Sequence, residues 1–136
     1  MIYHIVKEND YRSRNDGHRY LPSNFDVHGF VHCALELSVI PVANEYYANI
    51  VENVLLLRID SSKLTSQTKY EPASPEKGIG TLHTTSSLVF PHVYGPIENS
   101  AIEGIGVLLK GESGYDWPKE YYSIDVFFGG EKEITA

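Results

Sequence analysis

The stretch "NVLLLRID" (residues 53–60) is an apolar run bounded by Asn53 and Asp60. A strand with one wet face alternates apolar and polar side chains, and this one does not, so its sequence predicts a central strand buried on both faces. A single strand of that kind needs neighbours on either side. The flanking sequence supplies them.

Upstream, "MIYHIVKE" carries β-type residues and ends in a polar turn, which predicts a strand over residues 2–7. Asn9 or Asp10 is placed to cap a short helix over "DYRSRND", stopped by Gly17. "HRYLPSNFDVHG" reads as irregular, punctuated by Pro22 and Gly29, and "FVHCAL" as a second short strand. "ELSVIPVANEYYANIVE" reads as a helix with Ser38 as N-cap, Pro41 in its first turn, and Val39, Ala43, Tyr46, Tyr47 and Ile50 on one face.

Downstream, residues 61–66 make a turn or a single helical turn, and "TKYEP" is a short strand. Residues 73–90 form a loop rich in Pro, Gly, Ser and Thr, of a length more often functional than incidental. "FPHVYGP" closes it, and "AIEGIGVLLK" predicts a further strand with a bulge at Gly104 or Gly106. The tail from Gly111 is aromatic, and its "YSIDVFF" is expected to add a strand or to dock on a partner. Together these predict one small α+β domain with a mixed or antiparallel sheet and short helices.

The bulk numbers agree with that size and class. The chain has 136 residues, 42% hydrophobic and 21% charged, a globular balance. A formal net charge of −7 argues against a general nucleic-acid binder, which needs a basic surface. One cysteine, Cys33, rules out an intrachain disulfide framework. No apolar run approaches the roughly 20 residues that span a bilayer, and "MIYHIVKEND" lacks a signal peptide's basic start, so no membrane association and a cytosolic location are expected.

Six histidines are present, and three sit in apolar surroundings. Strand alternation groups His4 with Ile2 and Val6, and His32 with Phe30 and Ala34; His92 lies between two prolines. A buried imidazole is either a satisfied core residue or part of a site, and three together favour a site. They would serve acid–base chemistry or hydrogen-bond the hydroxyls or phosphate of a ribose. His28 and His32 are four apart, but in loop and strand rather than helix, and no H-x-H or H-E-x-x-H pattern occurs, so no metal is expected. His18 and His83 lie in polar loops and read as solvated. Cys33 follows His32 directly, so the two point to opposite faces, and Cys33 reads as a small core residue rather than a nucleophile. Candidate acids are Asp26, Glu36, Asp60 and, above all, Glu71 beside Tyr70 and Pro72. "GIGT" (residues 78–81) lacks the strand and helix of a dinucleotide fingerprint and reads as flexible loop.

A resemblance rests on motifs found in order: "MIYHIV", "YLPSNFDVHGFVHCA", "VANEYY", "VLLLRID", "KYEP" and "FPHVYGPI". Over about residues 1–108 the chain resembles the domain of unknown function 952 family. That resemblance implies an ADP-ribosyltransferase-like fold, a small split sheet with short flanking helices, similar to the RNA 2′-phosphotransferases. It implies NAD as a substrate, with His4 at the first-strand position that contacts the ribose and His32 at the second. The superfamily's third position is often glutamate; here "PHVYGP" supplies His92 and Tyr94, which puts ordinary protein ADP-ribosylation in doubt. Residues 1–110 would then form the family domain, with 111–136 an extension packed on it.

The expected site is a cleft for NAD, ADP-ribose or a phosphorylated ribose, with His4, His32 and His92 as catalytic residues. Tyr94, Tyr20, Glu71 and Gly95 would bind the ligand, either tyrosine stacking on a planar ring. The alternatives are a nucleotide-binding module without turnover and a structural or partner-binding protein whose histidines only satisfy internal hydrogen bonds.

Overall fold

Residues that alternate along extended backbone, and those that repeat every three to four along a helix, sort the chain into elements that cover one another. In the computed structural model, which describes residues 1–73 and 88–129, these are β1 (Ile2–Lys7), α1 (Glu8–Arg14), β2 (Arg19–Tyr20), α2 (Phe25–His28), β3 (Val31–His32), α3 (Glu36–Tyr46) and β4 (Val54–Ile59). A 3-10 turn (Ser61–Lys63) leads to β5 (Thr68–Pro72), β6 (Val89–Val93) and β7 (Ile97–Glu98). Another 3-10 turn (Asn99–Ala101) precedes β8 (Ile102–Val107), β9 (Leu109–Gly111), β10 (Gly114–Asp116), β11 (Tyr121–Tyr122) and α4 (Ile124–Gly129). Most of the predicted 73–90 loop, with "GIGT" and His83, lies outside the described residues, as does the end of the tail.

The larger sheet is antiparallel, in the order β1-β4-β8-β11. Its central strand is β4, and both faces are covered as its sequence predicts. Leu55, Leu57 and Ile59 pack in one cluster with Tyr11, Tyr20, Val93 and Phe127. Val54 and Leu56 pack in the other with Val39, Val42 and Ala43 of α3. Each leucine so buried stabilises the fold by about 1.5–3 kcal/mol. The register shifts where Arg58 pairs with Gly104 and Ile59 with Ile102, so Glu103 is the extra residue, next to one of the two predicted positions. Gly104 is needed for another reason: a Cβ there would lie 2.8 Å from the Cβ of Tyr121 on β11.

A second, three-stranded antiparallel sheet runs β3-β6-β5, and β2-β7 and β9-β10 form two-stranded ribbons. The predicted strand "FVHCAL" is shorter than its sequence implies, because the segment changes sheets. Val31 and His32 pair with β6, and Cys33 N–H still donates to Pro91 O at 3.0 Å. Ala34 has turned to β1, exchanging two hydrogen bonds with Tyr3 at 2.9 and 2.7 Å. The two sheets are thus joined through four consecutive residues.

Four more local readings are corrected. Helix α1 starts at Glu8, straight off β1, rather than after a cap at Asn9 or Asp10. Helix α3 starts at Glu36, so Ser38 is inside it and Pro41 sits at its sixth position, where it deprives the Leu37 carbonyl of a donor on an exposed face. The tail's "YSIDVFF" is one strand residue, Tyr122, followed by a helix. Ser123 Oγ accepts from Val126 N–H at 3.2 Å, an N-cap, and Phe127 packs against Tyr11 under the Arg12 guanidinium. "HRYLPSNFDVHG" likewise holds β2 and the single turn α2. Among the described residues no helix is long and apolar enough to cross a membrane.

Candidate functional site

Strand β1 turns His4 inward with Ile2 and Val6, and both ring nitrogens are engaged there. Nδ1 lies 2.6 Å from the His32 carbonyl, which only accepts, so Nδ1 carries the proton. Nε2 then accepts from the Tyr20 hydroxyl at 2.7 Å. Burial pushes the His4 pKa down to about 4, against the His32 carbonyl and the Asp10 carboxylate, which favour the charged ring. Tyr20 is fully buried, and its pKa is driven up by burial first and by Asp10 second.

His32 is half-buried, and its Nε2 lies 2.7 Å from His28 Nδ1. The contact exists because α2 ends in a left-handed Gly29, φ 84°, whose N–H caps Phe25 O at 2.7 Å. The reversed chain then brings residues 28 and 32 ring to ring, 4.7 Å between centroids.

These two pairs meet in a cleft of about 570 Å³, lined by His4, Tyr20, His28, His32, Tyr46 and Tyr47 among others. Lys7, Asp10 and Glu52 supply its charges. His28, Asp10 and the two tyrosines were not singled out as site residues from the sequence. The signal for His28 was present as "HGFVH", an i, i+4 pair across a helix-stopping glycine; Tyr46 and Tyr47 were read only as core-facing.

His92, Glu71 and Tyr94 form a neighbouring cluster outside the cleft lining. His92 Nδ1–H donates to Glu71 Oε1 at 2.8 Å, and the Tyr94 hydroxyl donates to the same oxygen. The Tyr94 and His92 hydrogen bonds hold the Glu71 carboxyl below its ordinary range. The Glu71 hydrogen bond in turn pushes Tyr94 up to about 12. For His92 burial outweighs Glu71 and lowers the pKa, so the ring is neutral at pH 7. Phe30 stacks on it at 3.9 Å, 22° between planes, and the His32 ring lies 5.8 Å away.

Other residues singled out from the sequence have local explanations. A Cβ on Gly95 would meet Ser66 Oγ at 2.5 Å, so glycine there admits a close packing contact. Cys33 is buried, and burial raises its thiol pKa, which keeps it protonated. Asp60 caps the turn at Ser62 by accepting from its N–H at 3.0 Å. Asp26, Glu36 and His18 are exposed. Among the described residues no group of three or more His, Cys, Asp or Glu side chains is arranged to hold a metal ion.

Comparison with known proteins places the arrangement. The family model described as "Protein of unknown function (DUF952)" matches residues 5–105. Among solved structures, protein CC0527 from Caulobacter crescentus is similar with a TM-score of 0.67 at 18% identity, over 84% of this chain and 90% of that one. A double mutant of the same protein gives 0.67 at 17% identity with the same coverage. At that identity the likeness speaks for the fold. Among curated proteins none matches this chain.

Proposed function

The chain belongs to the family described as Protein of unknown function (DUF952), and we propose that its cleft binds a ribosyl ligand: NAD, ADP-ribose or a 2′-phosphorylated ribose. In this reading the fold is a relative of the ADP-ribosyltransferase superfamily, nearest the RNA 2′-phosphotransferases, and the protein is a transferase that uses NAD. The observation that carries it is the cleft of about 570 Å³ in which the His4–Tyr20 and His28–His32 pairs converge. Its volume lies in the range of roughly 300–1,000 Å³ usual for small-ligand sites. Its rim adds the hydroxyl and amide groups of Ser13, Ser23, Asn9 and Asn24, partners suited to ribose hydroxyls. Lys7 is the fixed cation among the described lining residues and would be the partner for a phosphate. His32 then touches the ligand, and the buried His4–Tyr20 pair holds the wall behind it.

Calorimetric titration of NAD, ADP-ribose and a 2′-phosphorylated RNA against wild type and His32→Ala tests this. Heat with at least one of them, weakened in the variant, is the expected result; no heat with any of the three overturns it.

A second reading, a binding module without turnover, draws on one observation: the two fixed hydrogen bonds of His4 leave it no free nitrogen for proton transfer. Release of nicotinamide from NAD, lost in His4→Ala, would reject it.

A further inference from the structure

Asp10 and Ser13 are three apart on α1 and both line the cleft, while Tyr11 packs on the other side against Phe127. The lining is acidic: among its described residues Lys7 stands against the carboxylates of Asp10 and Glu52. Glu52 is already engaged, its Oε2 accepting from Asn9 Nδ2 at 3.1 Å. Asp10 is half-buried, and its carboxylate has no hydrogen bond or ion pair among the described residues.

The Asp10 charge reaches three sides of the cleft. Burial dominates the titration of His4 on β1, Tyr20 on β2 and Tyr47 just past α3, and Asp10 acts on each as well. A carboxylate facing a cavity partly screened from water favours a cation there. The same cleft is lined by Tyr46 and Tyr47. Tyr47 is held from two directions: its hydroxyl donates to the Ile5 carbonyl at 3.3 Å, and its own carbonyl accepts from the Tyr115 hydroxyl at 2.7 Å. A tyrosine ring attracts a cation over its face. Of the three ligands in the reading above, only NAD carries a cation, since its oxidised nicotinamide ring is a pyridinium. In NADH that ring is neutral, and ADP-ribose lacks it.

We propose that the cleft selects the oxidised form of NAD, with Asp10 as the counter-ion of the nicotinamide cation and Tyr46 and Tyr47 as its aromatic wall. The inference rests on the ribosyl-ligand reading above and narrows it to one ligand. The adenosine diphosphate part is the same in NAD and NADH, so its contacts, including any with Lys7, cancel when the two are compared. What differs is the ring charge that Asp10 and the tyrosines would hold.

Calorimetric titration of wild type with NAD, NADH and ADP-ribose, repeated on Asp10→Asn, tests this. Wild type should bind NAD roughly 10-fold more tightly than NADH, and added salt should narrow the gap. Asp10→Asn should bring NAD to within about twofold of NADH while leaving the affinity for ADP-ribose unchanged. NADH bound by wild type as tightly as NAD, or a preference that survives in Asp10→Asn, overturns the proposal. The wild-type comparison needs no variant, so it decides the matter even where Asp10→Asn does not fold. If wild type binds ADP-ribose or the 2′-phosphorylated RNA with no preference for NAD over NADH, this inference fails and the cleft reading stands; if it binds none of NAD, ADP-ribose and that RNA, both fail.

Discussion

The Tyr20 hydroxyl donates to His4 Nε2 at 2.7 Å, and both side chains are buried. Tyr20→Phe therefore leaves a buried imidazole nitrogen without its donor. Stability should fall by about 1–3 kcal/mol, read as a lower urea midpoint at unchanged slope. A midpoint equal to wild type would show that the pair is not formed.

Acid should weaken the fold through His4. In the unfolded chain this imidazole protonates near 6.5, and in the fold only near 4, because burial disfavours the cation. Between those values the unfolded chain binds more protons, so stability rises with pH. The contribution is fully present above about 6.5 and is lost as pH falls toward 4, a total of about 3 kcal/mol. His92, also lowered by burial, acts in the same sense. Urea unfolding at pH 7 and at pH 4.5 should show the loss in wild type and a shallower one in His4→Gln. Equal slopes in the two proteins would contradict the assignment.

Gly29→Ala should destabilise through the backbone alone. Its φ is 84°, and a Cβ there meets nothing within 4 Å, so crowding plays no part. A non-glycine residue in the left-handed region costs about 1–2 kcal/mol. The variant should also loosen the His28–His32 contact, seen as a changed chemical shift for both rings. A melting temperature unchanged from wild type would count against this.

Cys33 should resist thiol reagents in the native state. Its side chain is 4% exposed, and burial raises its pKa, so thiolate is scarce and access is closed. Labelling by a disulfide exchange reagent should proceed at the rate of unfolding and reach one thiol per chain in denaturant. Immediate labelling at pH 7 would refute it.

What the sequence revealed follows from the range of each signal. The β4 strand is legible because an unbroken apolar run reports burial by itself, and the inward side of His4 because alternation with Ile2 and Val6 is local. Helix α4 was misread because Val126, Phe127 and Phe128 favour strands, while the Ser123 cap that decides the matter is one residue. The shortness of the "FVHCAL" strand was hidden, since its change of partner at Ala34 depends on where Tyr3 and Pro91 lie. The pairing of Glu71 with His92 spans 21 positions, and no period in the sequence links them; only the register of β5 against β6 does. Glu71 drew notice as an acid at a strand end, but its partners came from topology.

The passage of residues 31–34 from one sheet to the other has a mechanical consequence. His4 is bonded to the carbonyl of His32, Ala34 to Tyr3 and Cys33 to Pro91, so the floor of the cleft is a welded seam of main chain. Prising the sheets apart there would break several buried hydrogen bonds at once. The helix side is fastened to the same strand, since Tyr47, just past the end of α3, donates its hydroxyl to the Ile5 carbonyl at 3.3 Å.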